Sequence, residues 1–256
     1  MLQPRLIPCL LVHNGGLVKT VRFGKPKYVG DPINAVRIYN EKEVDELIVL
    51  DIDATVNRVE PDYQLISHLA AECRMPICYG AGVRNVTQVE KIIGLGVEKV
   101  AISSAAVRTP NLVSEAASRV GSQSVVVVID VKKTGVFRRY EVVTHNGSQR
   151  TGIDPVEFAC QVADAGAGEL VVNSVDRDGE MCGFDLDLVD LVRQAVHLPI
   201  TVLGGAGSLE DLKKLVDRYK IIGAAAGSLF VFKGKFRAVL INYPTNSEKK
   251  NILGYW

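Results

Sequence analysis

Several familiar signals are missing from this chain of 256 residues. It has no excess of either charge. Its 30 basic residues face 29 acidic ones, so no net field is available to recruit nucleic acid or anionic lipid to the molecule as a whole. The five cysteines, Cys9, Cys73, Cys78, Cys160 and Cys182, are odd in number, scattered and without a CxxC pair. That pattern argues against a disulfide framework and a cysteine zinc site. None of the four histidines, His13, His68, His145 and His197, stands at a metal-ligand spacing from carboxylates, and neither a metal nor a cofactor is expected. No apolar run approaches the roughly 18 residues of a membrane span, and the first strand-like run comes without the basic and apolar segments of a signal peptide. What is left is the expectation of a cytoplasmic protein in a reducing compartment. Its partners should be a small molecule or another protein, not a nucleic acid polymer or a membrane.

What is present is a high apolar content, 47%, cut into short runs. Eight of them, at 6–10, 47–52, 77–79, 99–102, 124–129, 170–175, 200–203 and 221–225, alternate with helical stretches of about ten to fifteen residues, the pattern of βα units and a parallel sheet. Near-continuous apolarity within the runs implies burial on both faces. Helix starts are marked by Asp31 before Pro32, by Asn85 with Gln88, and by Ser208 with Glu210 and Asp211, and glycines at 94–96 and 166–168 mark helix ends. The fold class predicted is α/β, with residues 1–256 forming a single (β/α)8 barrel. Residues 13–30, rich in glycine and cations and without helical period, are expected as a long mobile loop. Residues 243–256 are expected as a polar tail packed loosely on the rim.

The chain is also a doubled half. The stretch 5–11 (RLIPCLL) pairs with 124–130 (SVVVVID), 46–53 (ELIVLDID) with 169–176 (ELVVNSVD), and 76–82 with 199–207. A symmetric barrel invites a symmetric pair of catalytic groups. At one matched position, however, the first half has Leu11 where the second has Asp130.

In barrels of this class the active site lies at the C-terminal ends of the strands. Glycine-rich segments fall at that point after runs three and seven, Gly80-Ala81-Gly82 and Gly204-Gly205-Ala206-Gly207, where backbone N–H groups bind anions. Ser103-Ser104 and Gly227-Ser228 complete two similar sets, as two phosphate cradles across one mouth would require; the plainer reading is tight turns. Asp51, Asp53, Asp130, Asp176 and Asp178 crowd the same rim as acid/base candidates, or as loop caps and turn formers around Gly179. At the opposite pole, Arg5, Glu46, Lys99 and Glu169 each begin a strand. They are read either as solvated, stabilising charges or as a built feature.

The stretches RLIPCL, VKT around Lys19, GDP at 30–32, DELIVLDI, GSQSVVVVID, GAGEL, DRDG and GGAG resemble the cyclase subunit of imidazole glycerol phosphate synthase (HisF) over residues 1 to about 240. That family is a (β/α)8 barrel that binds a bis-phosphorylated ribonucleotide and receives ammonia from a HisH-like glutaminase on its N-terminal face. It forms imidazole glycerol phosphate and aminoimidazole carboxamide ribonucleotide. The resemblance implies acid/base work for Asp130 and loop closure for Lys19. It implies phosphate binding around Gly82, Ser103, Ser104, Asp178, Gly179, Gly205, Gly227 and Ser228, and a salt-bridged ammonia gate of Arg5, Glu46, Lys99 and Glu169. The chain departs from the family at Leu11, where an aspartate is usual, at Ser103, where asparagine is usual, and at Asn173, where threonine is common.

The stretches LLVHNGGLVKTVRF, KYVGDPINAVRIYNEKEVDELIVLDID, MPICYG and AAGSLFVF resemble a divergent HisF-like branch of bacterial surface-polysaccharide pathways. There a HisH-like glutaminase and the barrel supply ammonia to a sugar amidotransferase. Three functions follow as expectations: an ammonia-conducting subunit with little cyclase activity, a cyclase of histidine biosynthesis, and a scaffold that only activates the glutaminase.

Overall fold

A computed structural model describes residues 3–80 and 82–254. Eight parallel strands close on themselves: β1 Arg5–His13, β2 Leu47–Asp51, β3 Ile77–Gly80, β4 Lys99–Ile102, β5 Val125–Thr134, β6 Glu169–Ser174, β7 Ile200–Leu203 and β8 Gly223–Ala226. Each pairs with the next, β8 returns to β1, and β5 pairs with β6 in the register Glu169–Val126 through Ser174–Val131, so the sheet has no gap between its halves. A helix of eight residues or more follows each strand: α1 Pro32–Glu41, α2 Tyr63–Glu72, α3 Val86–Gly94, α4 Asn111–Val120, α5 Pro155–Asp164, α6 Leu186–Ala195, α7 Leu209–Tyr219 and α8 Asn246–Leu253. This is the (β/α)8 barrel that the alternation of runs predicts.

The local reasons are those the sequence carries. Asp31 Oδ1 accepts from Asn34 N, Asn85 Oδ1 accepts from Gln88 N, and Ser208 and Asp211 form a reciprocal capping box; each satisfies N–H groups that a helix start leaves unpaired. Burial on both strand faces produces two apolar layers. The outer one lies between strands and helices, with Leu6, Val49, Val127, Leu170 and Val202 facing Val36, Leu69, Ile92, Val162 and Leu215. The inner one fills the barrel with Ile7, Cys9, Ile48, Cys78, Ala101, Val126, Val128, Val171, Leu203 and Ala225, with Leu11 and Leu50 against it. The barrel interior is thus a packed column capped at each end by polar groups.

Two expected segments differ. Residues 13–30 are not an irregular loop: β1 runs on above the rim and pairs antiparallel with Gly16–Val21, which pairs with Gly24–Gly30. The turn is Asn14-Gly15, both at positive φ (49° and 75°), the hairpin geometry that suits a twisted strand pair and that Asn-Gly specifies. β5 does the same, its outer part pairing with Arg139–Thr144. The C-terminal tail is not loosely packed either. Thr245 and Glu248 form a capping box for α8, whose Ile252 and Leu253 are buried. Before it, buried Tyr243 donates to Leu6 O at 2.8 Å and accepts from Asp45 N at 3.3 Å, and Lys249 Nζ lies 2.5 Å from Asp45 Oδ1. The tail therefore fastens the N-terminal ends of β1 and β2. Tyr255 and Trp256 lie outside the described residues.

Candidate functional site

The C-terminal ends of the strands enclose a pocket of about 130 Å³. Asp130, at the end of the barrel part of β5, is one of three half-buried aspartates that line it, with Asp51 and Asp178, and the strand register sets it beside Asn173 of β6. Asn173 Nδ2 donates to Asp130 Oδ1 at 2.8 Å and Ser103 Oγ donates to Oδ2 at 3.3 Å. Burial pushes the Asp130 carboxyl up to about 6, against the lowering effect of those two hydrogen bonds. A carboxyl so placed exchanges a proton near neutral pH. The matched pair in the first half is Leu11 beside Leu50, and neither can do so.

The other rim carboxylates are engaged in holding loops. Asp51 Oδ1 accepts from Asp53 N and Ala54 N; Asp53 accepts from Asn14 N and pairs with His13 Nδ1, both at 2.7 Å; Asp176 accepts from Lys133 N at 2.8 Å. Asp51 thus caps its own turn, while Asp53 and Asp176 tie down the first hairpin and the β5 hairpin. Asp178 accepts from Thr20 Oγ1 and Phe23 N and so ties the first hairpin to the loop after β6; burial raises its carboxyl above the ordinary range.

The two glycine-serine sets meet at the mouth as the strand order requires. Gly82, Ser104, Gly179, Gly205 and Ser228 all line the pocket, and the short helices Ser104–Arg108 and Ser228–Val231 begin on it. Several of these glycines are required by loop packing alone. A Cβ on Gly205 would lie 2.1 Å from Gly183 O, and one on Gly179 would lie 2.1 Å from Thr20 O. Lys19 is buried between the cradles: its Nζ donates to Cys9 O and lies close to Gly227, and burial lowers its pKa. By sequence His145 falls in or near a loop of the active face, with no role attached to it. It enters the pocket wall on the turn after the second strand of the β5 hairpin, its imidazole held below the usual value by burial and by Arg108 and Arg58. A histidine in an unpaired turn carries no spacing signal, so only the fold reveals it.

At the N-terminal pole Arg5, Glu46, Lys99 and Glu169 form a closed ring. Arg5 pairs with Glu46 and, at 2.7 Å, with Glu169; Lys99 Nζ lies 2.8 Å from each carboxylate. Thr201 Oγ1 adds a 2.6 Å bond to Glu169. Burial alone would lower the Arg5 and Lys99 pKa values, but the two carboxylates outweigh it and hold both raised; the same cations hold Glu169 low against its own burial. Alternating sign around a ring is how four buried charges avoid an unpaired member, whose cost would be several kcal/mol.

The profile of the family described as histidine biosynthesis protein matches residues 5–237. A relative from Leptospira interrogans is 54% identical over 255 residues, the full length of both chains. One from Vibrio vulnificus strain YJ016 is 54% identical over 253 residues, 99% of this chain and 97% of its own. A third, from Pseudomonas aeruginosa, is 53% identical over 244 residues, 95% and 97%. All three carry provisional names as imidazole glycerol phosphate synthase HisF subunits. With profile, full-length identity and barrel in agreement, the chain belongs to the histidine biosynthesis protein family as a HisF member.

Proposed function

We propose that the chain is the synthase-type subunit of a glutamine amidotransferase complex. In this reading a HisH-like glutaminase sits on the N-terminal pole, ammonia passes the ring and the barrel, and a sugar amidotransferase uses it at the mouth on a surface-polysaccharide precursor. One observation carries the reading: the two poles have diverged. The ring at the bottom is complete and closed, while at the mouth Asp130 has no acid at the matched position, which Leu11 fills beside Leu50. Loss of one member of an acid/base pair typically lowers a rate by about 10² to 10⁴.

The chemistry of passage follows from the layers. Ammonia carries three donors and a lone pair, so it exchanges hydrogen bonds with both kinds of ring member while a cationic side chain swings aside. Above the ring, Ile7, Ile48, Val126 and Val171 line an apolar column that disfavours ammonium, because a bare charge there loses its hydration without a partner. Asp130, titrating near 6, is the first proton-exchanging group above that column. The Gly82/Ser104 and Gly205/Ser228 sets would hold a phosphorylated ligand at the mouth.

A second reading is favoured by the names of the relatives and by the survival of Asp130 with both glycine-serine sets: a cyclase forming imidazole glycerol phosphate and aminoimidazole carboxamide ribonucleotide. The test of the first reading is a two-protein mixture with a HisH-type glutaminase from the same genome. Glutamine hydrolysis should rise on adding the chain, and light scattering should detect a heterodimer. No complex at micromolar concentration together with unchanged hydrolysis would show the reading to be wrong.

A further inference from the structure

The near-zero net charge conceals a segregation at the C-terminal pole. Three hairpins rise there, from β1, from β5 and from the stretch after β8. Residues 13–30 hold Lys19, Arg22, Lys25 and Lys27; residues 131–139 hold Lys132, Lys133, Arg138 and Arg139; residues 232–239 hold Lys233, Lys235 and Arg237. None of the three stretches contains an acidic residue. All of these cations except Lys19, Lys132 and Lys133 are exposed. The carboxylates at the feet of the hairpins are engaged, Asp176 with Lys133 N, Asp178 with Thr20 and Phe23, and Glu180 with Arg22 at 2.8 Å. Each hairpin also presents large apolar or aromatic side chains to solvent: Tyr28 is 67% exposed, Val136 and Phe137 94% and 83%, and Phe236 91%. Lys27 Nζ lies 5.1 Å from the Phe232 ring, which brings the first hairpin against the third.

We infer that this pole docks on an anionic lipid surface, the hairpins seating Phe137 and Phe236 from their turns and Tyr28 from the strand Gly24–Gly30 at headgroup level while the flanking lysines and arginines meet the lipid phosphates. An aromatic body with a cationic fringe is the combination that binds the interface of an anionic bilayer. Two features favour lipid over an acidic protein. A protein interface gathers its apolar side chains into a central patch inside a polar rim and is poor in lysine. Here the centre is an open pocket mouth and not a patch, the apolar side chains stand apart on separate hairpins, and the exposed lysines, Lys25, Lys27, Lys233 and Lys235, are as many as the exposed arginines. Among the described residues no helix is long and apolar enough to cross a membrane, so the association is peripheral. It would set the mouth, and whatever acts there, beside the bilayer and leave the ring-bearing pole free for a second protein, and it stands whether or not ammonia passes the barrel.

The experiment is co-sedimentation of the full chain with vesicles of phosphatidylcholine containing about 30% phosphatidylglycerol, and with phosphatidylcholine alone. Pelleting is expected with the first and not the second, and release when salt is raised from about 0.1 M to about 0.5 M. Phe137→Ser with Phe236→Ser should weaken binding about tenfold or more, Lys233→Glu with Lys235→Glu should abolish it, and Lys214→Glu on the outer face of α7 should leave it nearly intact. Melting temperatures close to that of the unsubstituted chain would show that the variants fold. Should the double serine variant not fold, Phe236→Trp provides the same readout, a blue shift in emission with anionic vesicles only. No pelleting, or pelleting indifferent to the tip substitutions, overturns the inference. Salt-sensitive retention on immobilised polyglutamate without vesicle binding also overturns it and assigns the face to an acidic protein.

Discussion

The two halves of the barrel share a strand plan and divide the polar work between its poles. At the N-terminal pole the first half supplies Arg5, Glu46 and Lys99, and the second supplies Glu169, whose only matched partner is Glu46. At the mouth the allocation is reversed: the first half presents Leu11 and Leu50, the second Asp130 and Asn173 at the same register positions. Repeating a half-barrel fixes where side chains point, not what they are. Each pole needs only one complete set of polar groups, so the two copies have been free to specialise at opposite ends.

The comparison breaks most severely at Lys99. Lys99→Met removes one of the two cations that both ring carboxylates share and leaves the two buried carboxylates to Arg5 alone; one negative charge of the ring is then uncompensated, and the chain should be destabilised by about 3 kcal/mol, read as a lowered denaturant midpoint at neutral pH. Thr201→Val sharpens the same contrast. It takes away the neutral donor that the second half adds beside Glu169, the 2.6 Å bond to that carboxylate, while sparing every ion pair, so a loss of about 1 kcal/mol is expected. An effect as large as that of Lys99→Met would mean that the ring depends on the second half more than its ion pairs show.

At the mouth the contrast is testable by pH. The Asp130 carboxyl is raised to about 6 in the folded chain, from an ordinary value near 4. The native state therefore holds this proton more tightly than the unfolded state. Stability falls as pH rises between the two values, and the penalty is complete above the folded one. Asp130→Asn should stabilise the protein by about 1–2 kcal/mol at pH 7 to 8, discounted from the full shift because the group borders the pocket, and the gain should vanish below about pH 4. Leu11→Ala, at the matched position, should change stability with no such pH dependence. The smallest effects belong to the cradles. Ser104→Ala and Ser228→Ala should each weaken binding of a bis-phosphorylated nucleotide analogue by a few-fold to about tenfold, by titration calorimetry. Gly205 is not a usable probe there, because any side chain would meet Gly183 O and disturb the loop itself.

The fold was legible because the signals that set it are local: apolar runs of strand length, caps such as Asp31 and Ser208, and a repeat that predicts closure. The upper hairpin was not read from residues 13–30 because glycines and cations obscure its alternation, although Asn14-Gly15 carries the turn signal. The tail reads as a polar appendage because its two anchors, Tyr243 and Lys249, are separated from their partners Leu6 and Asp45 by more than 200 residues of chain. Motif and family likeness reached the ring and the pocket glycines. They do not reach the place of His145 in the pocket wall, nor the division of the rim carboxylates into a turn cap, three hairpin ties and the Asp130 acid, since only packing decides which oxygens a backbone N–H finds first.

The measurement that tests the division between the poles most directly is cyclase turnover of the purified chain on the bis-phosphorylated ribonucleotide with saturating ammonium, which bypasses the proposed glutaminase and the ring. With Asp130 unpartnered by a second acid, little or no turnover is expected, and Leu11→Asp should raise it. Turnover matching that of a histidine-pathway cyclase, with Leu11→Asp nearly neutral, would contradict the account and make the chain a cyclase that does its chemistry from one half alone.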